Sequence, residues 1–511
     1  MLVYIGIIVL IWSLYLYGTH GYDYWRKKGV KYDKPLPFVG STSRMFLQKQ
    51  SLTDYFTELY RRYPEEKFVG FYLANSKALM IRDPELIKNV LITDFNNFYP
   101  RGLIAHKTVR EPMMKNLFFA DGDLWKLLRQ RLTPAFTSGK LKAMFPLIVE
   151  RTQRLQRTAA AAAERGAEVD VRDLMARYTT DFIGACGFGL DTDSISDETS
   201  TFRKLGKRIF TFTIRDGLMF FLKEVATEPF KNFEYLAPEI ERNTVALVKG
   251  IMEQRNYKPS GRNDFIDLLL ELKQKGKIVG ESIEKRNPDG TPHIVELEMD
   301  ELLMAAQVFV FFAAGFETSS SATSYTLHQL ALHPDQQAKC QQEIDEVLAR
   351  YDGKLCYDAV KEMQYLHMCF KEGIRLFPSL GFLVRESTDS YQFPGTDVTI
   401  EEGVNIAIPL QAIQTDPKYF KDPEKFIPER FDPDNLKEIQ KNTYLPFGDG
   451  PRACIGERLG LMQSLAGLAA ILYKFTVAPS KNTRVKPLVD PAAHIVQSVK
   501  GGIPLALTLR S

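Results

Sequence analysis

The chain has 511 residues, of which 45% are hydrophobic, which is enough to bury a large core in one very large domain or about three ordinary ones. The formal net charge is only +3, so the composition excludes a strongly basic surface of the kind that binds nucleic acid. The five cysteines include no C-x-x-C pair, and their spacing fits neither a disulfide framework nor a structural zinc site. They predict reduced thiols facing the cytosol.

The chain begins with an apolar segment. Residues 1–22 contain no Asp, Glu, Lys or Arg, and a span needs about 17–25 residues, so 1–20 predicts an uncleaved transmembrane signal anchor. A cleaved signal peptide would carry positive charge before the apolar stretch and small residues at a cleavage site; a buried core helix is the other alternative. The basic residues Arg26, Lys27 and Lys28 follow the segment, which predicts that the body faces the cytoplasm.

The body after the anchor reads as mainly α. Residues 21–40 are basic and proline-rich and predict a stiff elbow. Apolar residues at helical spacing predict helices over 123–134, 141–164, 169–189, 239–256, 263–275, 298–331, 334–350 and 358–376. Strands are predicted over 67–83, 391–400, 404–409 and 503–509, and loops between helices over 257–264 and 284–293. The pattern predicts one mainly α domain with small β-sheets over 41–511.

Two side chains on the predicted helix 123–134 can face one target. Trp125 and Arg129 are four residues apart, so an indole N–H and a guanidinium project from the same helix face. Together they predict a binding site for a single anionic group.

The predicted helix 298–331 contains a long apolar stretch, residues 302–316, with one polar member. That length is short for a membrane span and suits a helix buried through the core. Polarity changes abruptly at Glu317, and Gly315 removes a side chain where a ligand could sit. Thr318 could simply hydrogen-bond back to the carbonyl of Ala314, as threonines within helices often do.

A further pair lies on the predicted helix 358–376. Glu372 and Arg375 stand three residues apart on one face, where opposite charges can pair. Such pairs are usually solvated and contribute only about 0.2–0.5 kcal/mol, so this pair carries little weight by itself.

Near the C-terminus, the sequence LPFGDGPRACIGERLG over 445–460 places Cys454 among glycines, just before an apolar helix. The glycines allow a tight turn that aims backbone N–H groups at the sulfur, and the helix N-terminus stabilises a thiolate. Arg452 could reach an anionic group on a bound cofactor. A buried cysteine in a glycine-rich turn is the alternative, but this context favours a metal ligand.

The segment FGDGPRACIG, from Phe447 to Gly456, fits the Phe-x-x-Gly-x-Arg-x-Cys-x-Gly signature and resembles the haem-thiolate cytochromes P-450. The resemblance extends over roughly residues 30–511 and implies the cytochrome P-450 fold, with haem b held through the Cys454 thiolate. Residues 314–319 look like the oxygen-activation motif of this family. In that motif Thr318 hydrogen-bonds a ligand or a water, and Glu317 relays protons from solvent.

The resemblance also implies roles for other residues. Glu372, Arg375 and Arg430 match a buried network that locks the loop presenting the cysteine. The cofactor-binding residues it implies are Cys454, Arg452, Phe447 and Ala314, with Trp125, Arg129, Arg385 and Arg101 at the haem propionates.

The activity implied is that of a monooxygenase that inserts one oxygen atom from O2 into a lipophilic small molecule. No flavin or nicotinamide fingerprint occurs, so the electrons would come from NADPH through a membrane-bound diflavin reductase, or partly from a cytochrome b-type donor. Lys126, Arg131, Lys140 and Lys142 could meet an acidic partner or could form a solvated face. The anchor and the resemblance together predict the endoplasmic reticulum membrane.

The substrate is the least constrained inference. Phe119, Phe309, Ala313 and Leu380 are expected nearest the iron and favour a lipophilic substrate. The motifs resemble microsomal detoxifying members, above all the insect xenobiotic branch. The stretch 209–222 suggests a buried helix or a segment that dips into the bilayer. Two other functions stay open, a haem-thiolate peroxide isomerase or dehydratase that needs no reductase, and a haem-binding carrier without turnover.

Overall fold

The computed structural model describes residues 1–103, 111–190, 194–195, 201–211, 213–225, 227–230, 232–262, 264–493 and 495–510. Most of these residues are helical. The helices are α1 (Leu2–Gly18), α2 (Tyr24–Lys27), α3 (Ser43–Phe46), α4 (Leu52–Arg62), α5 (Pro84–Lys88), α6 (Gly122–Leu132), α7 (Ser138–Glu164), α8 (Val171–Phe188), α9 (Thr201–Phe210), α10 (Ile214–Val225), α11 (Thr227–Phe230), α12 (Pro238–Gln254), α13 (Phe265–Gln274), α14 (Glu301–Leu332), α15 (Pro334–Ala349), α16 (Tyr357–Glu362), α17 (Gln364–Leu376), α18 (Leu410–Gln414) and α19 (Glu457–Lys474).

The strands form small separate sheets. They are β1 (Phe68–Leu73), β2 (Ser76–Ile81), β3 (Val169–Asp170), β4 (Ile278–Arg286), β5 (Pro292–Leu297), β6 (Leu383–Glu386), β7 (Tyr391–Gln392), β8 (Thr399–Ile400), β9 (Asn405–Ile408), β10 (Phe475–Pro479) and β11 (Pro504–Leu509). One sheet has the order β1-β2-β9-β6, with β2 and β9 parallel, and another has the order β10-β11-β3. The pairs β4-β5 and β7-β8 are hairpins. The predicted mainly α fold with small sheets is confirmed.

Two apolar clusters hold the domain together. The larger one lies among the helices, where Phe182 of α8, Leu303 of α14 and Leu468 of α19 are buried. The smaller one lies on the four-stranded sheet and includes Leu79 of β2 and Ile406 of β9. The strand β6 is the edge of that sheet, and it lines the same cavity as the cysteine loop, which is where the site is built.

The long helix α14 crosses the larger cluster. Its N-terminus is capped by the Asp300 carboxylate, which accepts a hydrogen bond from the Leu303 N–H at 2.7 Å. Among the described residues it is the one helix of 18 or more residues that is apolar enough to cross a membrane, but 67% of its most apolar window is buried inside the protein. Its apolar surface is therefore covered by protein, as predicted for a core helix.

Two predicted elements differ from the structure. The predicted helix 358–376 is divided into α16 and α17 at Met363, whose ψ of 74° interrupts the helical backbone. The predicted loop 284–293 is the end of the β4-β5 hairpin, closed by a turn in which the Gly290 N–H donates to the Asn287 carbonyl at 2.9 Å. The loop prediction rested on the turn residues and missed the strands that they connect, because those strands are exposed and polar.

The predicted elbow is packed into the body rather than being a free linker. The Trp25 side chain is fully buried, and its indole N–H donates to the Phe71 carbonyl of β1 at 3.2 Å. The ring lies so close to the backbone of Gly70 that a Cβ there would come within 2.5 Å of it. The residues that follow α1 therefore fix the position of that helix against the four-stranded sheet.

The stretch 209–222 is not a buried helix. Ile214 and Leu218 of α10 are 89% and 51% exposed, whereas Phe220 and Phe221 contact the ring of Phe46 of α3. Residue 212 of this stretch lies outside the described residues. The helix has one face on the protein and an apolar face that is uncovered.

Candidate active site

The loop before α19 is shaped around Cys454. The Cys454 N–H donates to the Phe447 carbonyl at 2.8 Å, which closes the loop just before the helix begins. Gly450 has a φ of 71°, and a Cβ there would lie 1.9 Å from the Leu91 carbonyl oxygen. Only glycine fits that conformation and that approach, so the glycine at this position of the motif has a structural reason.

The Cys454 side chain faces an internal cavity of about 720 Å³. Burial raises the pKa of the Cys454 thiol, while the Gly456 N–H and the positive charges of Arg129 and Arg101 act in the opposite direction. The eight residues predicted to bind the cofactor all line this one cavity: Arg101, Trp125, Arg129, Ala314, Arg385, Phe447, Arg452 and Cys454. They come from five separate parts of the chain, and the fold brings them together.

One wall of the cavity holds four arginines, Arg101, Arg129, Arg385 and Arg452. Arg452 donates to the Asp121 carboxylate at 2.6 Å, and its guanidinium lies 4.3 Å from the centre of the Trp125 ring. Arg101 donates to the carbonyls of Phe118 and Arg452, at 2.7 and 3.2 Å. Among the described residues, Asp121 is the single carboxylate that forms an ion pair with this cluster.

Arg385 is a member of the cluster whose guanidinium is only partly hydrogen-bonded. It is buried on β6, where its Nη1 donates to the Val384 carbonyl at 2.7 Å and its Nε has no hydrogen-bond partner among the residues that the structure describes. Burial lowers the pKa of Arg385, and the charges of Arg101 and Arg452 lower it further. Buried cations that repel one another, one of them with an unsatisfied buried donor, indicate that a further anion belongs at this wall.

The opposite wall is formed by α14. The Thr318 hydroxyl lines the cavity and donates to the Ala314 carbonyl at 2.6 Å. A Cβ on Gly315 would lie 2.3 Å from Cδ1 of Ile183, so α8 and α14 can pack this closely only at a glycine. The structure thus has the back-bonded threonine, and its hydroxyl is placed where it could turn toward a bound molecule.

Glu317 is buried beside the cavity but does not line it. Its carboxylate pairs with the guanidinium of Arg172 on α8, which also donates to the Ser320 hydroxyl. The predicted proton-relay carboxylate is therefore held by a cation on the side of α14 that faces α8.

The predicted pair on α17 is a buried network. Arg375 donates to Glu372 from Nε and Nη2, at 2.7 and 2.9 Å, and both side chains are fully buried. Arg430 approaches the same carboxylate at 3.3 Å, and the Ile427 N–H donates to it at 2.9 Å. Bidentate geometry and burial distinguish this network from the solvated pair that sequence spacing alone would suggest.

The network is connected to the cysteine loop through one glutamine. Arg375 donates to the Gln414 carbonyl at 2.7 Å, and the Gln414 side chain accepts from the Leu445 N–H at 3.2 Å. Leu445 begins the loop that carries Cys454. The position of that loop therefore depends on hydrogen bonds that begin at Glu372.

Residues 30–504 match the model of the family described as Cytochrome P450. The match agrees with the cavity that Cys454, the arginine wall and α14 line. The chain belongs to the cytochrome P450 family. It is similar to three insect proteins, Cytochrome P450 6B2 of Helicoverpa armigera (40% identical, covering 99% of this chain and 97% of that protein), Cytochrome P450 6a2 of Drosophila melanogaster (38%, 99% of each) and Cytochrome P450 6B1 of Papilio polyxenes (36%, 99% of each). The family predicted from the motifs is confirmed.

The P450 is a haem-thiolate monooxygenase, and its cavity fits that cofactor on two observations. The Cys454 thiol is exposed to the cavity, where it could bind the iron of a haem. Among the described residues one carboxylate pairs with the four guanidiniums, and the positive charge that remains is one that two propionates would largely offset. Both features lie in one cavity whose lining is otherwise mostly apolar.

Replacing an arginine of the wall is expected to weaken haem binding and, at the same time, to stabilise the haem-free protein. In an Arg385→Gln variant, haem should leave the P450 about tenfold to a hundredfold faster, because a hydrogen bond from a charged donor contributes about 1.5–3 kcal/mol. The haem-free form should become more stable, because the repulsion from Arg101 and Arg452 is relieved. Haem transfer to apomyoglobin and thermal unfolding of the haem-free protein measure these changes.

The Arg385→Lys variant is the matched control, since it keeps the charge and loses the planar fork. It should retain the instability of the haem-free form and lose haem at an intermediate rate. Unchanged haem loss in Arg385→Gln would show that this arginine does not contact the cofactor.

The structure places the remaining predicted residues unevenly. Of the four residues expected in the substrate pocket, Leu380 lines the cavity, whereas Phe119, Phe309 and Ala313 do not. Phe309 is buried in the helical cluster. Sequence reasoning could not tell which face of α14 meets the cavity, because residues 302–316 are apolar on nearly all sides. Residues that do line the cavity include Phe118, Ile183, Val310 and Phe311.

The basic residues proposed for a partner also differ from one another. Lys142 pairs with Asp358 at 2.8 Å, and Arg131 is exposed and donates to the Val279 carbonyl at 3.1 Å. Lys126 and Lys140 are half-buried. These cations lie in and beside α6, on which the β4-β5 hairpin packs, with the Ser282 hydroxyl donating to Asp123 at 2.8 Å.

Sequence reasoning missed three polar residues of the site: Asp121, Arg172 and Ser379. Each of them touches a predicted residue that is distant in the chain, namely Arg452, Glu317 and Thr318. Asp121 had a weak signal, since it stands directly before the helix that carries Trp125, although its carboxylate pairs with Arg452 and does not cap that helix. The other two had none, because nothing in the local sequence shows which partner they meet.

Proposed function

We propose that this P450 inserts one oxygen atom from O2 into a lipophilic small molecule, with NADPH as the source of electrons and with a haem that the Cys454 thiolate would hold. The observation that carries the proposal is the single cavity in which the Cys454 thiol, the arginine wall and the Thr318 hydroxyl meet. The haem supplies the activation of dioxygen, which its thiolate ligand favours. The protein supplies binding, orientation and control of water and protons.

Each group of residues has a separate task. Cys454 is held by its own N–H bond to Phe447, so the sulfur is presented at a fixed position. Arg101, Arg129, Arg385 and Arg452 would hold the propionates and thereby orient the cofactor. Leu380 and other apolar side chains of the lining exclude water from the space where a lipophilic substrate would lie.

Proton delivery would use Thr318 and Glu317. The Thr318 hydroxyl can exchange the Ala314 carbonyl for a polar group in the cavity, since a hydroxyl both donates and accepts. Glu317 can pass on a proton only after its carboxylate moves away from Arg172. The ion pair with Arg172 therefore favours the resting position of the carboxylate and sets the free-energy cost of proton transfer.

For localisation we propose the endoplasmic reticulum membrane, with the body on the cytoplasmic side. The support is α1, which has 17 residues, no charged side chain and an almost entirely exposed surface, and the basic cluster that follows it. A membrane-bound diflavin reductase, with or without a cytochrome b-type donor, is the electron source that suits this placement. The proposed substrates are lipophilic foreign compounds or endogenous lipophiles.

The test is a reconstitution of full-length P450 in lipid vesicles with a panel of lipophilic test compounds. Product carrying one atom from labelled dioxygen is expected only when NADPH and the diflavin reductase are both present. Rearrangement of a hydroperoxide without NADPH would instead identify a peroxide isomerase or dehydratase. Binding spectra with no turnover under either condition would identify a carrier, and both results would contradict the proposal.

A further inference from the structure

The middle of α14 receives hydrogen bonds from outside the helix. The Gly315 carbonyl accepts from the Gln463 side chain of α19 at 3.4 Å, and the Phe316 carbonyl accepts from the Thr179 hydroxyl of α8 at 3.0 Å. The Thr318 carbonyl accepts from the Ser379 hydroxyl at 2.9 Å. In an α-helix each of these carbonyls already serves the N–H four residues later, so each has a second donor.

Ser379 differs from the other two donors in its position. It lies in the loop between α17 and β6, and both it and Thr318 line the cavity. The same loop leads within six residues from Ser379 to Arg385 of the arginine wall. One hydroxyl therefore connects the α14 wall with the strand that would hold the cofactor.

The loop that carries Ser379 is itself fixed. The Ser379 carbonyl accepts from the Gln497 N–H at 2.8 Å, and the Gln497 side chain donates to the Pro378 carbonyl at 2.7 Å. The Gly381 carbonyl accepts from the Gln411 N–H at 2.9 Å, and a Cβ on Gly381 would lie 2.2 Å from Thr53. A donor on a rigid loop constrains the position of its acceptor.

We propose that Ser379 is a positioning residue for Thr318. The Ser379 hydroxyl binds the backbone carbonyl of Thr318, the residue whose own hydroxyl lines the cavity. The bond stops the 314–318 turn from opening or shifting along the helix axis. Thr318 then stays at a fixed distance from the loop that leads from Ser379 to Arg385. The proposal rests on the proposed function for its catalytic consequence, but the contact itself is a property of the folded chain.

The test compares Ser379→Thr with Ser379→Val, two side chains of nearly equal shape of which only threonine can donate. Hydrogen exchange of a peptide covering residues 314–326 is followed by mass spectrometry in the haem-loaded resting protein, without substrate or reductase. The valine variant should exchange about fivefold faster in this peptide, since a buried neutral hydrogen bond contributes about 1 kcal/mol. The threonine variant should stay within about twofold of the wild type. Equal exchange in the two variants would overturn the proposal.

Two further measurements keep the result interpretable. Ser379→Ala removes the hydroxyl without adding a methyl group, so it must reproduce the fast exchange of the valine variant; slow exchange would contradict the proposal. With NADPH and reductase, product formed per NADPH consumed should fall in the valine variant and remain near the wild-type value in the threonine variant. Fast exchange with an unchanged ratio would show a purely structural bond. Failure of the wild type to turn over would contradict the proposed function and leave the exchange result standing.

Discussion

A Cys454→Ser variant is expected to lose the strongly red-shifted Soret band that the reduced wild-type protein shows with carbon monoxide. A serine hydroxyl is a far weaker acid than a thiol, so it cannot supply the anionic sulfur that gives this spectrum. The variant should still fold, because the N–H of residue 454 keeps its bond to the Phe447 carbonyl. The loss expected is complete rather than partial, since one atom is the ligand. The measurement is the difference spectrum after reduction by dithionite.

The cavity supplies its own control in Cys186, which also lines it. Burial raises the pKa of the Cys186 thiol well above its usual range, and the nearby Asp264 carboxylate raises it further, so this thiol stays neutral. The Cys186→Ser variant should therefore retain the red-shifted band. If that variant lost the band and Cys454→Ser kept it, the ligand would be assigned to the wrong cysteine.

The parts of the site that sequence reasoning found are those whose chemistry is local. Glycine spacing around Cys454 predicted a tight loop, and Gly450 shows the reason in its φ of 71° and its contact with Leu91. The i, i+3 spacing of Glu372 and Arg375 predicted their pairing. In these cases the interacting groups lie within one turn or loop, so the spacing of the residues is enough to predict the contact.

The parts that could not be predicted depend on packing between distant segments. Arg172 meets Glu317 across 145 positions of the chain, and Ser379 meets Thr318 across 61. The face of α14 that meets the cavity could not be predicted either, because residues 302–316 of this helix are apolar on nearly all sides and leave no amphipathic stripe. The substrate pocket is therefore the feature for which the structure changes the expectation most.

An Arg375→Ala variant is expected to yield almost no haem-loaded protein. The change leaves the Glu372 carboxylate buried without its bidentate partner, which typically costs about 3–5 kcal/mol. Domains are stabilised by only about 5–15 kcal/mol, so this one loss removes a large fraction of the total. The hydrogen bond to the Gln414 carbonyl is lost as well, and with it part of the support for the cysteine loop. Thermal unfolding and the fraction of protein that carries thiolate-ligated haem measure the effect.

Two companion variants separate the cost of an unpaired buried carboxylate from the cost of the lost hydrogen bonds to the backbone. Arg430→Ala removes the longer contact of 3.3 Å from a partly exposed side chain, so it should cost about 1 kcal/mol and leave the haem content high. Replacing both Glu372 and Arg375 by methionine removes the unpaired charge together with its partner, and should recover part of the stability that Arg375→Ala loses. If the double variant were as unstable as Arg375→Ala, the cost would come from the lost bonds to the backbone of Gln414, Pro423 and Lys425 rather than from the buried carboxylate. The main contribution of Arg375 would then be its hydrogen bonds to the backbone near the cysteine loop, and the charge of Glu372 would contribute little.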